Sequence, residues 1–209
     1  MKREAEIKRK TKETNISLNL NLDGNGISST NTEIGFFNHM ITLMSFHSKI
    51  DIKLDATGDI EVCDHHIVED IGICIGMAIK EAVGDKKGIK RYSTICIPMD
   101  EALVMVSLDI SGRPYLNFDA DFKRENIGNF SVEMVKEFFK AVAFNSQITI
   151  HIKVLYGEND HHKIEGIFKA FGQAIKEAVK VETSEIPSSK GMFSIRQLVH
   201  LIVLSYIPN

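Results

Sequence analysis

Apolar and polar residues alternate at Ile16, Leu18, Leu20 and Leu22, the two-residue period of a half-buried strand. The turn signal DGNG (Asp23–Gly26) then leads into a second strand. Gly35–Phe46 reads as a helix, and Ile50–Leu54 alternates again. His65–Val83 spreads its apolar residues at helical spacing and stops before Gly84. The second half repeats this order: strand Ala102–Asp109, turn Ser111–Pro114, strand Tyr115–Phe118, helix Val132–Phe144, strand Ile148–Val154 and helix His161–Val181. Each half is thus β-β-α-β-α. The expected class is α+β, with helices packed on one face of each antiparallel-leaning sheet. Gly72, Gly76 and Gly172 fall inside the long helices, where glycine costs helix propensity. Close helix–helix packing would account for them.

The two halves are copies. DHHIVEDIGICIGMAIKEAV (64–83) and DHHKIEGIFKAFGQAIKEAV (160–179) share twelve of twenty residues at a constant offset of 96 (160 − 64). Upstream, SFHSKIDI (Ser45–Ile52) lies over AFNSQITI (Ala143–Ile150) at an offset of 98 (143 − 45). That offset sets His39 on Glu137 and His47 on Asn145. The expected organisation is a first repeat over 1–92, a second over 93–190, both in one compact unit, and a C-terminal extension over 191–209.

Composition adds exclusions. Hydrophobic residues make up 44% and charged residues 25%, as in globular chains. The formal charge is −3, so no basic balance points to nucleic acid. Cys63, Cys74 and Cys96 form no CxxC pair and read as free thiols in a reducing cytoplasm. The N-terminus has charge but no apolar core of a secretory signal. The apolar run Leu198–Ile207 is too short to span a bilayer, which takes roughly 20 residues.

The repeated HHxxE carries the chemistry. Residues i and i+4 share a helix face, whereas adjacent residues diverge by about 100°. His65 and Glu69 can therefore grip one ion while His66 serves another; His161, Glu165 and His162 repeat the arrangement. The simplest closed scheme crosses the repeats. One ion takes His65, Glu69, His162 and Glu137; the other takes His161, Glu165, His66 and His39. Imidazole and carboxylate without thiolate suit Mn(II), Fe(II), Co(II) or Zn(II). Six-coordination with open positions favours Mn(II). Asp64, Asp70 and Asp160 are candidates to orient the ring nitrogens. His151 and His200 read as structural or solvent-exposed.

The stretches RKTKET (Arg9–Thr14), GFFNHM (Gly35–Met40), GDIEVCDHHIVEDIGI (Gly58–Ile73), RY (Arg91–Tyr92), MDEAL (Met99–Leu103), DISGRPYL (Asp109–Leu116), NDHHKIEGIFKAF (Asn159–Phe171) and PSSKG (Pro187–Gly191) resemble the imidazoleglycerol-phosphate dehydratase family of histidine biosynthesis. The resemblance runs from about residue 3 to 192. It implies a duplicated ribosomal protein S5 domain 2-like fold and a hydro-lyase. It also implies two Mn(II) ions per site and a homo-oligomer of twenty-four subunits with sites between them. Carried over residue by residue, Glu13 contacts substrate and moves a proton. His39–His47, His65–Glu69 and His161–Lys169 line the site. Arg91, Arg113, Lys169, Ser188, Ser189 and Lys190 bind substrate, chiefly its phosphate, whose dianion suits guanidinium, ammonium and hydroxyl donors. Glu137 departs from the pattern, since many members have His there.

The implied reaction removes water from imidazole glycerol phosphate to give imidazole acetol phosphate, with the ions as Lewis acids and template. The enzymatic alternative is a dinuclear metallohydrolase of a small phosphate or amide, whose ions would sit about 3.5–4 Å apart. The non-enzymatic alternative is a structural metal protein that only builds an oligomer. The extension MFSIRQLVHLIVLSYIPN is a second departure and reads as lacking a catalytic role; the alternative is that it docks on a neighbouring subunit.

Overall fold

The computed structural model describes residues 2–189, so Lys190 and the 191–209 extension lie outside the described residues. The first repeat comprises β1 (Glu4–Lys10), β2 (Thr14–Asn21), β3 (Ser28–Asn31), α1 (Gly35–Ser48), β4 (Asp51–Gly58) and α2 (His65–Val83). The second comprises β5 (Tyr92–Met99), β6 (Ala102–Asp109), β7 (Tyr115–Asp119), the short β8 (Asn126–Ile127) and β9 (Phe130–Ser131), α3 (Met134–Ser146), β10 (Thr149–Tyr156) and α4 (Asp160–Ala178). The expected β-β-α-β-α unit is present twice, and each copy gains a strand in front. Those strands, β1 and β5, lack a strong apolar alternation. Charges crowd EAEIKRK around the buried Ala5 and Ile7. β5 contains Pro98, which an edge strand tolerates because its N–H side need not be paired.

The two sheets have matching topology, β1-β2-β4-β3 and β5-β6-β10-β7. In each, the last pair is parallel, β3 with β4 and β7 with β10, joined by the crossover helix α1 or α3. The other pairs are antiparallel. Lys49 (φ 61°) and Gln147 (φ 58°) end α1 and α3 in the left-handed conformation, so even the caps repeat.

The repeats pack through their helices, with α2 against α3 and α4 against α1. Glycine permits this approach. A Cβ on Gly72 would lie 2.8 Å from the Phe138 carbonyl oxygen, and one on Gly76 2.8 Å from that of Val142. A Cβ on Gly172 would lie 2.7 Å from the Met44 carbonyl oxygen. Between the helices lies an aromatic cluster. The Phe37 ring meets Phe130 at 5.6 Å and Phe138 at 5.3 Å, and Phe168 stacks on Phe138 at 5.4 Å. Such pairs add about 0.5–1.5 kcal/mol each beyond their burial.

Three buried aspartates lock the starts of the long helices. The Asp64 carboxylate accepts from Ser131 N–H (2.6 Å) and Oγ (2.8 Å). Asp160 accepts from the Lys123 and Arg124 N–H groups (2.7 Å each) and from Lys163 Nζ (2.9 Å). Asp70 pairs with Arg9, at 2.9 Å from its Nη2. Among the described residues none of the three meets a histidine ring, which corrects the expectation that they orient ring nitrogens. Their bonds go to neighbouring elements, and Asp64 and Asp160 both tie down the long β7–α3 connection.

Burial raises the Asp160 carboxyl's affinity for a proton, but the Lys163 ammonium and the Arg124 and Lys123 N–H groups outweigh it, so its pKa is lowered. A lowered folded-state pKa adds stability above the unfolded value of about 3.9, and that stability is lost as pH falls through the folded value. Asp160→Ala is expected to destabilise by about 3–5 kcal/mol at neutral pH, because it leaves Lys163 buried and unpaired. In urea titrations at several pH values, the gap to wild type should narrow below about pH 4. Gly172→Ala should cost about 1–3 kcal/mol by overpacking. Gly35→Ala, whose Cβ would meet nothing within 4 Å, should change stability by less than about 0.5 kcal/mol in the same titrations.

Candidate metal centre

The cross-repeat packing brings the outlying ligand of one repeat to the HHxxE helix of the other. His39 projects from α1 toward His161 and Glu165 on α4. Glu165 Oε2 stands 3.2 Å from His161 Nε2 and 3.7 Å from His39 Nε2. One donor atom from each residue lies within 4.8 Å of the others, and this is the one such three-donor group among the described residues. The Phe36 ring meets His161 edge-on at 5.1 Å and limits its motion. Lys169 forms a close ion pair with the other Glu165 oxygen, Oε1, so Oε2 remains directed at the two imidazoles. Burial raises the Glu165 carboxyl, but Lys169 and then His161 outweigh it and the net shift is downward. His47 stands nearby; burial, then the charges of Lys169 and Lys49, lower its pKa and favour the neutral ring.

The second expected set is less closed. His65 Nε2 lies 3.5 Å from Glu69 Oε2 on the same helix face. Glu137, on α3, lines one cavity with His65, Phe118, Phe122 and Lys136. Its carboxylate accepts from Lys140 Nζ at 2.8 Å. A divalent ion in that set would displace or compete with this ammonium.

Among the described residues, His66 and His162 do not cross to the opposite set within one chain. His66 Nδ1 is 3.1 Å from both oxygens of Asp59, with Glu13 Oε2 4.0 Å away. His162 Nδ1 is 2.7 Å from Glu101 Oε2. Hydrogen bonding to Asp59 raises the pKa of His66, and hydrogen bonding to Glu101 raises that of His162. The Asn159 N–H, followed by the His162 ring, holds the Glu101 carboxyl at about 2. Asp59 and Glu101 were missed in the sequence. Neither shares a helix face with a ligand, and only the hairpin and loop geometry carries them to the rings.

Of the expected phosphate ligands, Lys169 stands at Glu165 in the first set, whereas Arg91, Arg113, Ser188 and Ser189 gather elsewhere. The buried Arg91 directs Nε to Asp109 Oδ1 (2.8 Å) and Nη1 to the Pro187 carbonyl oxygen (2.8 Å), beside Ser188 and Ser189. Arg113 Nη2 approaches the same Asp109 carboxylate at 3.5 Å. This group sits at the end of β6, whereas Glu101 and the start of α4 sit at its beginning. Eight extended residues separate them, roughly 26 Å at about 3.3 Å per residue. The imidazole-rich and guanidinium-rich ends of one chain therefore do not converge.

Imidazole and carboxylate oxygen without thiolate form a donor set suited to a divalent transition metal. The spacing of His39, His161 and Glu165 matches that chemistry, and an ion there would replace like-oriented lone pairs with coordination bonds.

The sequence model of the imidazoleglycerol-phosphate dehydratase family matches residues 32–175. The imidazoleglycerol-phosphate dehydratase of Clostridium botulinum (strain Alaska E43 / Type E3) is 56% identical over 189 residues, covering 90% of this chain and 97% of that protein. That of Clostridioides difficile (strain 630) is 58% identical over 186 residues, covering 89% and 97%. The crystal structure of the enzyme from Staphylococcus aureus subsp. aureus N315 superposes with a TM-score of 0.78 at 44% identity, covering 85% of this chain and 99% of that one. The Pyrococcus furiosus enzyme in complex with (S)-C348 also gives 0.78, at 38% identity, covering 89% and 99%. Relatives this similar over nearly the whole described fold leave one assignment: the chain belongs to the imidazoleglycerol-phosphate dehydratase family.

Proposed function

We infer that this chain is a hydro-lyase that converts imidazole glycerol phosphate to imidazole acetol phosphate and water in histidine biosynthesis. Family membership carries the reading, and the meeting of His39 with His161 and Glu165 across the repeats supports its metal dependence. His39, His161 and Glu165 would hold one divalent ion, Mn(II) in the first instance, and His65, Glu69 and Glu137 would contribute to a second. When bound, the ions supply Lewis acidity to the substrate's imidazole and fix its orientation.

The protein's own groups do the rest. The reaction takes a proton from one carbon and a hydroxyl from its neighbour. Glu13, exposed on the β1–β2 turn, is the carboxylate free to move that proton. Lys169 holds Glu165 in its ligating orientation. Arg91, whose fork is held by Asp109 and the Pro187 carbonyl, would contribute positive charge to a phosphate surface completed by Arg113 and Ser188.

The separation of these groups bears on assembly. A small phosphorylated imidazole is far shorter than the roughly 26 Å between the two ends of β6. The second His of each motif, His66 and His162, also faces away from its own chain's ligand sets. Both features support a site completed by other copies of the chain, in a homo-oligomer that we take to have twenty-four subunits. Among the described residues no helix is long and apolar enough to cross a membrane. We place the enzyme in the cytoplasm, in keeping with its free thiols.

Glu13→Gln is expected to lower kcat by about 10²–10⁴-fold, the usual contribution of a positioned acid–base group. Assay of the purified variant for imidazole acetol phosphate checks this, and near-normal turnover removes Glu13 from that role. Dialysis against a chelator should abolish turnover of the wild type, and added Mn(II) should restore it. Turnover that persists in metal-free protein would rule out the metal.

A further inference from the structure

The strand registers extend the repeat beyond what residue identities reveal. Leu18 pairs with Leu54 in the first sheet, and Val106 pairs with Ile152 in the second. The β4-to-β10 offset is 98 (152 − 54), which makes the β2-to-β6 offset 88 (106 − 18). By that offset Glu13, just before β2, corresponds to Glu101, just before β6. Each glutamate sits on the hairpin beside the second histidine of its own repeat's HHxxE motif.

The two have diverged. Glu101 uses both oxygens. Oε1 accepts from the Asn159 N–H (2.7 Å) and the Glu158 N–H (3.2 Å), at the entry to α4. Oε2 takes His162 Nδ1 at 2.7 Å. In the first repeat Asp59 fills this place, with both oxygens 3.1 Å from His66 Nδ1. Glu13 is left 4.0 Å from that nitrogen, beyond hydrogen-bond reach. The Asp59 N–H donates to the Glu13 carbonyl oxygen at 3.1 Å, which ties the substitute carboxylate to the same hairpin.

A carboxylate only accepts, so each contact keeps the proton on Nδ1 and leaves the Nε2 lone pair outward for a metal. The exposed Asp100 carboxylate lies on that outward side, 3.7 Å from His162 Nε2. We propose that Glu101 is the positioning residue of His162 and Asp59 that of His66, and that Asp59, by taking over the ring, releases Glu13 for contact with substrate. The duplicated glutamate thus performs two tasks, one in each repeat. The proposal rests on the metal-dependent reading given above.

Mn(II) titration of the purified full-length protein, followed by the EPR signal of free Mn(II), tests it. In Glu101→Gln the amide oxygen keeps the backbone bonds at Glu158 and Asn159, but its NH₂ faces Nδ1. That contact favours the tautomer with the proton on Nε2, where it blocks the metal. Glu101→Gln and Asp59→Asn should each weaken Mn(II) binding by about 10–100-fold, with thermal midpoints of the metal-free proteins close to wild type. Glu13→Gln should bind Mn(II) as tightly as wild type while its turnover falls. The double variant Glu101→Gln/His162→Ala should bind no more weakly than His162→Ala, since Glu101 acts through that ring.

Three results would overturn the proposal: wild-type affinity in Glu101→Gln, an equal loss in Glu13→Gln, or a double variant clearly weaker than His162→Ala. If Glu101→Gln does not fold, Asp59→Asn decides the same question in the first repeat. Wild-type protein that turns over without taking up Mn(II) would overturn the metal reading and this proposal together. Wild-type uptake with unchanged variants would overturn the positioning roles alone.

Discussion

Close contact between α2 and α3, and between α4 and α1, is the constraint on which the rest of this protein depends. Each repeat is a sheet with two helices, and neither buries its helical face alone. Pressing the faces together creates the core, and Phe37 of the first repeat then meets Phe138 and Phe168 of the second. The approach is close enough that Gly72, Gly76 and Gly172 have backbone of the other repeat where a side chain would begin. The helix propensity lost at these glycines is small, about 1 kcal/mol each. What it permits is contact between helices that would otherwise be held apart by a methyl group.

The same contact assembles the chemistry. His39 belongs to the first repeat and Glu165 to the second, yet they stand 3.7 Å apart because α1 and α4 are packed together. Glu137 reaches the cavity of His65 because α3 lies on α2. A half-molecule would hold at most the His–Glu pair on one helix face. Rigid helices, locked at their starts by Asp64 and Asp160, hold these side chains in fixed positions. The flanking carboxylates Asp59 and Glu101 come from loops and hairpins, and they meet rings that α2 and α4 have already fixed in place.

The symmetry is imperfect. His39 faces Glu137 in the repeat alignment, His47 faces Asn145, and Glu13 faces Glu101. The short β3–α1 connection becomes the long β7–α3 connection, which both buried aspartates grip. Arg91 and Arg113 have collected at the far end of β6, well away from His161 and Glu165. The two frames match in topology and differ in these side chains.

The sequence by itself determined the duplication, the α+β class, both HHxxE helices and the pairing of His65 with Glu69 and of His161 with Glu165. It could do so because these are local properties. Helical and strand periods are set by neighbouring residues, and i, i+4 spacing places two side chains on one face whatever surrounds them. The edge strands β1 and β5 were less legible, since their inward residues are few and set among charges or beside a proline. Only the tertiary structure decided that Asp64, Asp70 and Asp160 secure backbone and arginine instead of imidazole, and that Asp59 and Glu101 hold His66 and His162. These partners lie from 7 to 67 residues apart along the chain. Sequence spacing has no bearing on such distances; they follow from how two sheets and four helices come to rest against one another.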